Sequence, residues 1–157
     1  MTSVLRILII YTLFLAGGIL SLPQSVHAVQ PLQYKEETKS PSLKLSLNSF
    51  LKNNGNFPLS DYLIADTDLN KDGIDEYILR RKGCSDRDHS CRHLVFAEKQ
   101  DTVILLTAIN AREIMIATTY SYGIKDIMAF NNSINEYNFD IYMWSPKEKT
   151  YILEASE

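Results

Sequence analysis

The chain has 157 residues, 45% of them apolar, and a formal charge of −3 at neutral pH. That is enough apolar material for one domain with its own core. The mild acidity argues against nucleic acid as a partner, because that binding calls for a clustered basic face.

From the N-terminus, Met1 to Ala28 carries one positive charge (Arg6), then the apolar run Ile7 to Leu20, then Pro23 and Val26-His27-Ala28. This order reads as a secretory signal peptide cut after Ala28. The apolar run holds fourteen residues with Gly17-Gly18 inside, short of the ~20 that span a bilayer. No cysteine lies near the cut, so a lipoprotein anchor is not expected. The expected product is periplasmic or secreted, with no stable membrane anchor after cleavage. Removing 28 residues leaves 129, and losing Arg6 takes the formal charge from −3 to −4.

Residues 29–41 are polar, contain Pro31 and Pro41 and lack periodicity, which reads as a flexible N-terminal arm. Residues 42–157 read as a single β-rich domain. Ser42 is placed to cap a helix from Leu43 to Lys52, with Leu43, Leu47, Phe50 and Leu51 on one face and Asn53-Asn54-Gly55 as its stop. The alternation of Leu43, Leu45 and Leu47 also fits a strand. Beyond this point the apolar runs are short, rich in β-branched and aromatic residues, and separated by turn residues. Strands are expected at 62–65, 76–81, 93–98, 102–109, 113–121, 124–130, 137–144 and 150–155. The pattern predicts a mainly β fold of antiparallel hairpins, forming a propeller-blade-like sheet or a small sandwich with one N-terminal helix.

Between the first two strands lies Asp66-Thr-Asp-Leu-Asn-Lys-Asp-Gly-Ile-Asp-Glu76, with five carboxylates and a carboxamide in eleven residues. So much like charge in one turn is costly unless a cation neutralises it. Alternating oxygen ligands suit a hard cation such as Ca2+, and a glycine lets the chain turn back towards the ion. An EF-hand starting at Asp68 would place Leu79 where its bidentate Glu is needed, and one starting at Asp66 would place Lys71 at the glycine position. The shorter pattern D-x-N-x-D-G-x-x-E closes on Glu76. It uses the side chains of Asp68, Asn70 and Asp72, the Ile74 carbonyl and the Glu76 side chain. Asp66 and Asp75 are candidates for holding water behind these ligands. The alternative is a turn made by Asp, Asn and Gly that binds nothing.

Over Tyr62 to Arg81 this sequence resembles the calcium loop of FG-GAP and VCBS-type repeats, found in β-propellers and in small exported bacterial proteins. The resemblance implies a calcium-holding turn between two antiparallel strands in a binding or scaffold unit. It departs at Glu76, where such loops usually carry Asp. A second, degenerate copy is suggested by Gly123-Ile-Lys-Asp-Ile-Met128, which lies 50 residues after Gly73-Ile-Asp-Glu-Tyr-Ile78. Thr118, Tyr120 and Tyr122 stand there in place of Asp68, Asn70 and Asp72. Two blades cannot close a ring, so a compact sheet or sandwich, or self-association, is expected instead.

Cys84 and Cys91 enclose a six-residue polar turn. In an oxidising compartment they are expected to form a disulfide across a hairpin tip. A metal site from His89, Cys91 and His93 is the alternative, and it leaves Cys84 unexplained. Tyr142 and Trp144 are read as candidates for partner binding, although aromatic residues also fill β cores.

No nucleophile elbow, zinc-binding helix or phosphate-cradling loop is present. Asp126 beside Lys125 is the remaining carboxylate that could serve as an acid or base. The expected function is therefore a small exported calcium-binding module that contacts an unknown protein or glycan and has no catalysis of its own. The alternative is a periplasmic inhibitor or immunity-type protein that blocks a toxic or lytic enzyme.

Overall fold

A computed structural model describes residues 29–38, 40–84, 91–100, 102–131 and 139–154. The expected leader, His89 and Tyr137 lie outside the described residues. The strand-forming runs settle into two antiparallel sheets. One has four strands in the order β2 (Tyr62–Thr67), β3 (Glu76–Arg81), β4 (Cys91–Lys99) and β5 (Thr102–Ala111). The other has five, with β1 (Val29–Pro31) at one edge, followed by β6 (Glu113–Ser121), β7 (Ile124–Phe130), β8 (Phe139–Ser145) and β9 (Thr150–Leu153). The mainly β expectation holds. The chain runs through two successive four-stranded meanders, β2 to β5 and then β6 to β9. Gly73 and Gly123 occupy matching hairpin tips, both with φ +83°.

Period-two alternation decides where the core sits. Ala65, Ile78, Val95 and Ile109 from one sheet meet Ile114, Ile116, Ile127 and Ala129 from the other in a shared cluster. The opposite face of the four-stranded sheet carries Ile64, Leu79, Leu94 and Phe96, and the helix α1 (Pro41–Asn53) covers it. Leu43, Leu47 and Leu51 recur every four residues, so all three fall on the stripe that faces these strands. The cap is Ser40, not Ser42: its hydroxyl accepts from the Leu43 N–H at 3.3 Å, and Pro41 takes the first helical position, where no N–H is needed.

The N-terminal arm departs from expectation. Val29 to Pro31 adds a short edge strand to β6, with Val29 opposite Ala117. Four residues further on, Lys35 exchanges two backbone hydrogen bonds of 2.8 Å with Ile64 on the edge of the other sheet. The arm therefore straps the two sheets together. It lacks periodicity because it serves each sheet for only one to three residues. Between these attachments the Tyr34 side chain packs against the inter-sheet core and Tyr34 Oη lies 3.2 Å from His93 Nδ1.

His93, named above in the alternative metal site, is fully buried on β4. Its Nε2 lies 3.3 Å from the Ala111 carbonyl, which can only accept. Nε2 thus carries the proton, and Nδ1 accepts from the Tyr34 hydroxyl. Burial pushes the His93 pKa down to about 4, with the Arg80 charge acting in the same direction and the Ala111 carbonyl opposing it. Between about 4 and the ordinary 6.5 the unfolded chain binds the proton and the folded chain does not, so this group's stability contribution is lost as pH falls through that window. At about 1.4 kcal/mol per pH unit the total is about 3 kcal/mol. Chemical denaturation of the wild type and of His93→Asn at a series of pH values should show it. The variant starts less stable, and the difference between the two shrinks as pH falls from 6.5 to 4. A pH-independent difference would mean that His93 does not stay neutral in the fold.

Candidate metal centre

The acidic loop joins β2 to β3, and its geometry follows from short side chains folding back on their own backbone. Asp68 Oδ1 accepts from the Lys71 N–H at 2.6 Å and Oδ2 from the Gly73 N–H at 3.0 Å. Asn70 Oδ1 accepts from the Asp72 N–H at 2.9 Å, and Asp72 Oδ1 from the Ile74 N–H at 2.8 Å. The Asn70 and Asp72 bonds are Asx turns in series, and Asp68 reaches three and five residues ahead, the local bonding that Asp and Asn offer in place of a ladder. Lys71 and Gly73 take positive φ values of 61° and 83°, which keeps successive N–H groups turned towards the acids. Against a desolvation cost, those N–H groups hold the Asp68 carboxyl below the usual range.

Two residues anchor the loop. Leu69 is fully buried in the inter-sheet cluster, and its carbonyl accepts from the Lys125 N–H of β7 at 2.8 Å. Glu76 is buried at the start of β3, with Oε2 accepting from the Leu69 N–H at 2.8 Å. Burial pushes the Glu76 pKa up to about 7, and the Asp72 and Asp68 charges raise it further, against the Leu69 hydrogen bond. Among the described residues no cation lies within ion-pair distance of it. Lys71 instead sits over the Tyr120 ring at 4.4 Å, on the hairpin of the second meander. Lys35 pairs with Asp66 at 2.8 Å.

The expected ligands thus follow one another along the loop. Asp68, Asn70 and Asp72 lie along one turn, with Glu76 behind them. Among the described residues, however, no three His, Cys, Asp or Glu side chains converge closely enough to form a metal-binding group. Each carboxylate oxygen that accepts one N–H keeps a lone pair, and the donors are all hard oxygens, so the set fits Ca2+ in chemistry. The Ile74 side chain is solvent-facing at 54% exposure, as a carbonyl ligand's side chain can be. Asp66 and Asp75 instead line a cavity of about 120 Å³ with Lys35, Glu37 and Tyr77, beneath the arm.

The other candidate residues resolve as follows. Cys84 and Cys91 form a disulfide, with Cα atoms 5.8 Å apart, so Cys91 is not a thiolate ligand. Tyr142 and Trp144 are half-buried, pack against the inter-sheet core, and Trp144 meets Tyr151 edge-on at 5.6 Å. Both therefore pack against the core while keeping part of each ring at the surface. Asp126, 50 residues after Glu76, is buried like it at 4% exposure, and its Oδ1 has no partner. Only the offset between the two copies pointed to this equivalence.

The chain matches no family model, no curated protein and no solved structure.

Leu69 is the loop's only side chain in the core, so truncating it tests whether docking holds the loop. Leu69→Ala should cost about 3 kcal/mol in chemical denaturation and speed amide exchange at Lys125, whose hydrogen-bond acceptor is the Leu69 carbonyl. Unchanged exchange at Lys125 would show that the backbone bond holds without the leucine.

Proposed function

We propose that this chain is an exported calcium-binding β module of the FG-GAP/VCBS kind, a binding or scaffold unit without catalysis of its own. Asp68, Asn70, Asp72, the Ile74 carbonyl and Glu76 would hold the ion. The observation that carries this reading is the buried Glu76 carboxylate, which faces the Asp68 and Asp72 charges without a described cation. A bound Ca2+ supplies the charge that this arrangement lacks.

The protein's own contribution is positional. Leu69 fixes the loop's depth, the Asx turns hold its backbone, and Glu76 closes it from below. Because Leu69 also bonds to β7, a cation gathered by the loop would tighten the junction between the two sheets. That makes the ion a stabiliser of the scaffold, not a reagent. Export is supported by the disulfide, which is compatible with an oxidising compartment. Among the described residues no helix is long and apolar enough to cross a membrane.

Thermal unfolding of the protein purified after export, in excess Ca2+, in Mg2+ and in chelator, tests the proposal. An ion that binds only the folded state at a hundredfold excess over Kd adds about 2.7 kcal/mol. The expected result is a rise of several degrees with Ca2+, absent with Mg2+ and abolished in Asp72→Ala. No shift with Ca2+ would reduce the loop to a turn, and a shift retained in Asp72→Ala would refute the ligand assignment.

A further inference from the structure

At the end of the four-stranded sheet opposite the acidic loop, cations replace acids. The β2–β3 pairing sets Tyr62 opposite Arg81, and the β4–β5 pairing sets Arg92 opposite Asn110. Arg80 lies opposite His93, so one step further along the same register puts Arg81 opposite Arg92. The alternation that turns Leu79 and Leu94 towards the helix face places both arginines on that face too, beyond the helix's C-terminal end. Two like charges so placed have Cβ atoms about 5 Å apart and destabilise the pairing. Among the described residues neither guanidinium has an ion-pair partner. Both charges act on Tyr62, whose pKa is nonetheless raised, chiefly by burial. Asp61, the neighbouring acid, takes a hydrogen bond from Ser60 at 3.4 Å. Phe57 is 48% exposed, and the Arg81 guanidinium lies 3.6 Å from its ring centre.

We infer that the Arg81–Arg92 pair and Phe57 form a docking surface for an acidic segment of a partner protein. An acidic side chain of the partner sits across the two guanidiniums and an apolar neighbour rests on the Phe57 ring. A sheet gains nothing from unpaired like charges in one row, whereas a carboxylate placed between them turns the repulsion into two charge-assisted contacts. Phe57 holds Arg81 flat and adds apolar contact area, the combination of Arg and aromatic residues that anchors protein interfaces. The occupant follows from charge complementarity and its range. The whole chain is negative, at −3, and its acidic loop lies at the far end of the same hairpin. An extended anionic surface such as a membrane meets that net repulsion, while a short acidic peptide meets only the local cations. This surface is independent of the calcium loop.

The test is fluorescence anisotropy with a fluorescein-labelled hexaglutamate peptide and the full exported protein, at low and at physiological salt. Three forms are compared: wild type, Arg81→Gln/Arg92→Gln, and Lys147→Gln/Lys149→Gln, which removes the same charge from the β8–β9 turn. Salt-sensitive binding is expected, weakened about tenfold or more in the arginine variant and unchanged in the lysine variant. The arginine variant should unfold at the same temperature as wild type or higher, because removing a like-charge pair relieves repulsion. Equal weakening in both variants would mean diffuse electrostatics and overturn the site, as would no peptide binding by the wild type. Two further outcomes would also overturn the assigned occupant. One is arginine-dependent binding to phosphatidylglycerol vesicles without peptide binding. The other is sedimentation showing arginine-dependent self-association. Calcium should leave peptide binding unchanged, so this inference and the calcium proposal fail separately.

Discussion

The structure depends on how one leucine holds two sheets together. Leu69 sits in the acidic loop, yet its side chain lies in the inter-sheet core, its carbonyl bonds to Lys125 on the opposite sheet, and its N–H bonds to Glu76. A charged hairpin tip would ordinarily project into water. Here it is drawn back because burying one leucine side chain is worth about 2 kcal/mol, and both backbone groups of that residue find partners inside. The acids around it are then displayed on a fixed platform. Other links close the same interface, including the Thr150 hydroxyl on the Leu106 carbonyl at a β-bulge, and the arm that reaches both sheet edges.

Burial around this junction creates an electrostatic asymmetry. Glu76 is held against a backbone N–H with two acids nearby, so its charged form is unfavourable in the absence of a cation. In the second meander Asp126 is buried to a similar degree, with an oxygen that has no partner among the described residues, but its turn carries Thr118, Tyr120 and Tyr122 where the first has Asp68, Asn70 and Asp72. The first meander's turn carries the carboxylates, and it rests on the second meander's hairpin, with Tyr120 under Lys71. The far end of the first meander is cationic, and among the described residues Arg81 and Arg92 have no ion-pair partner. The two ends of one hairpin thus favour ligands of opposite charge.

The N-terminal segment shows how tertiary context overrides local signal. Val29 to Pro31 has no alternation to read because edge pairing with β6 needs only backbone groups. Tyr34 is buried because the strap passes between two sheets that the segment itself cannot specify. His93 follows from the same geometry: the Tyr34 hydroxyl and the Ala111 carbonyl come from segments 59 residues before it and 18 after it. A histidine beside a polar cysteine turn carries no local sign that both its nitrogens will be satisfied in a dry core.

The sequence by itself determined what is periodic or covalently constrained. The β class, eight of the nine described strands, the helix stripe of Leu43, Leu47 and Leu51, the Cys84–Cys91 bridge and the turn at Gly73 were all readable, because each rests on neighbours within a few residues. So was the ordering of oxygen donors from Asp68 to Glu76. Tertiary structure alone decided which faces look inward. It packed Tyr142 and Trp144 partly against the core, paired Asp66 with Lys35, and brought Arg81 and Arg92 to one end of the four-stranded sheet. Those outcomes depend on which strands become neighbours and on which face of each is covered, and a strand's own alternation is the same whichever side the core is on.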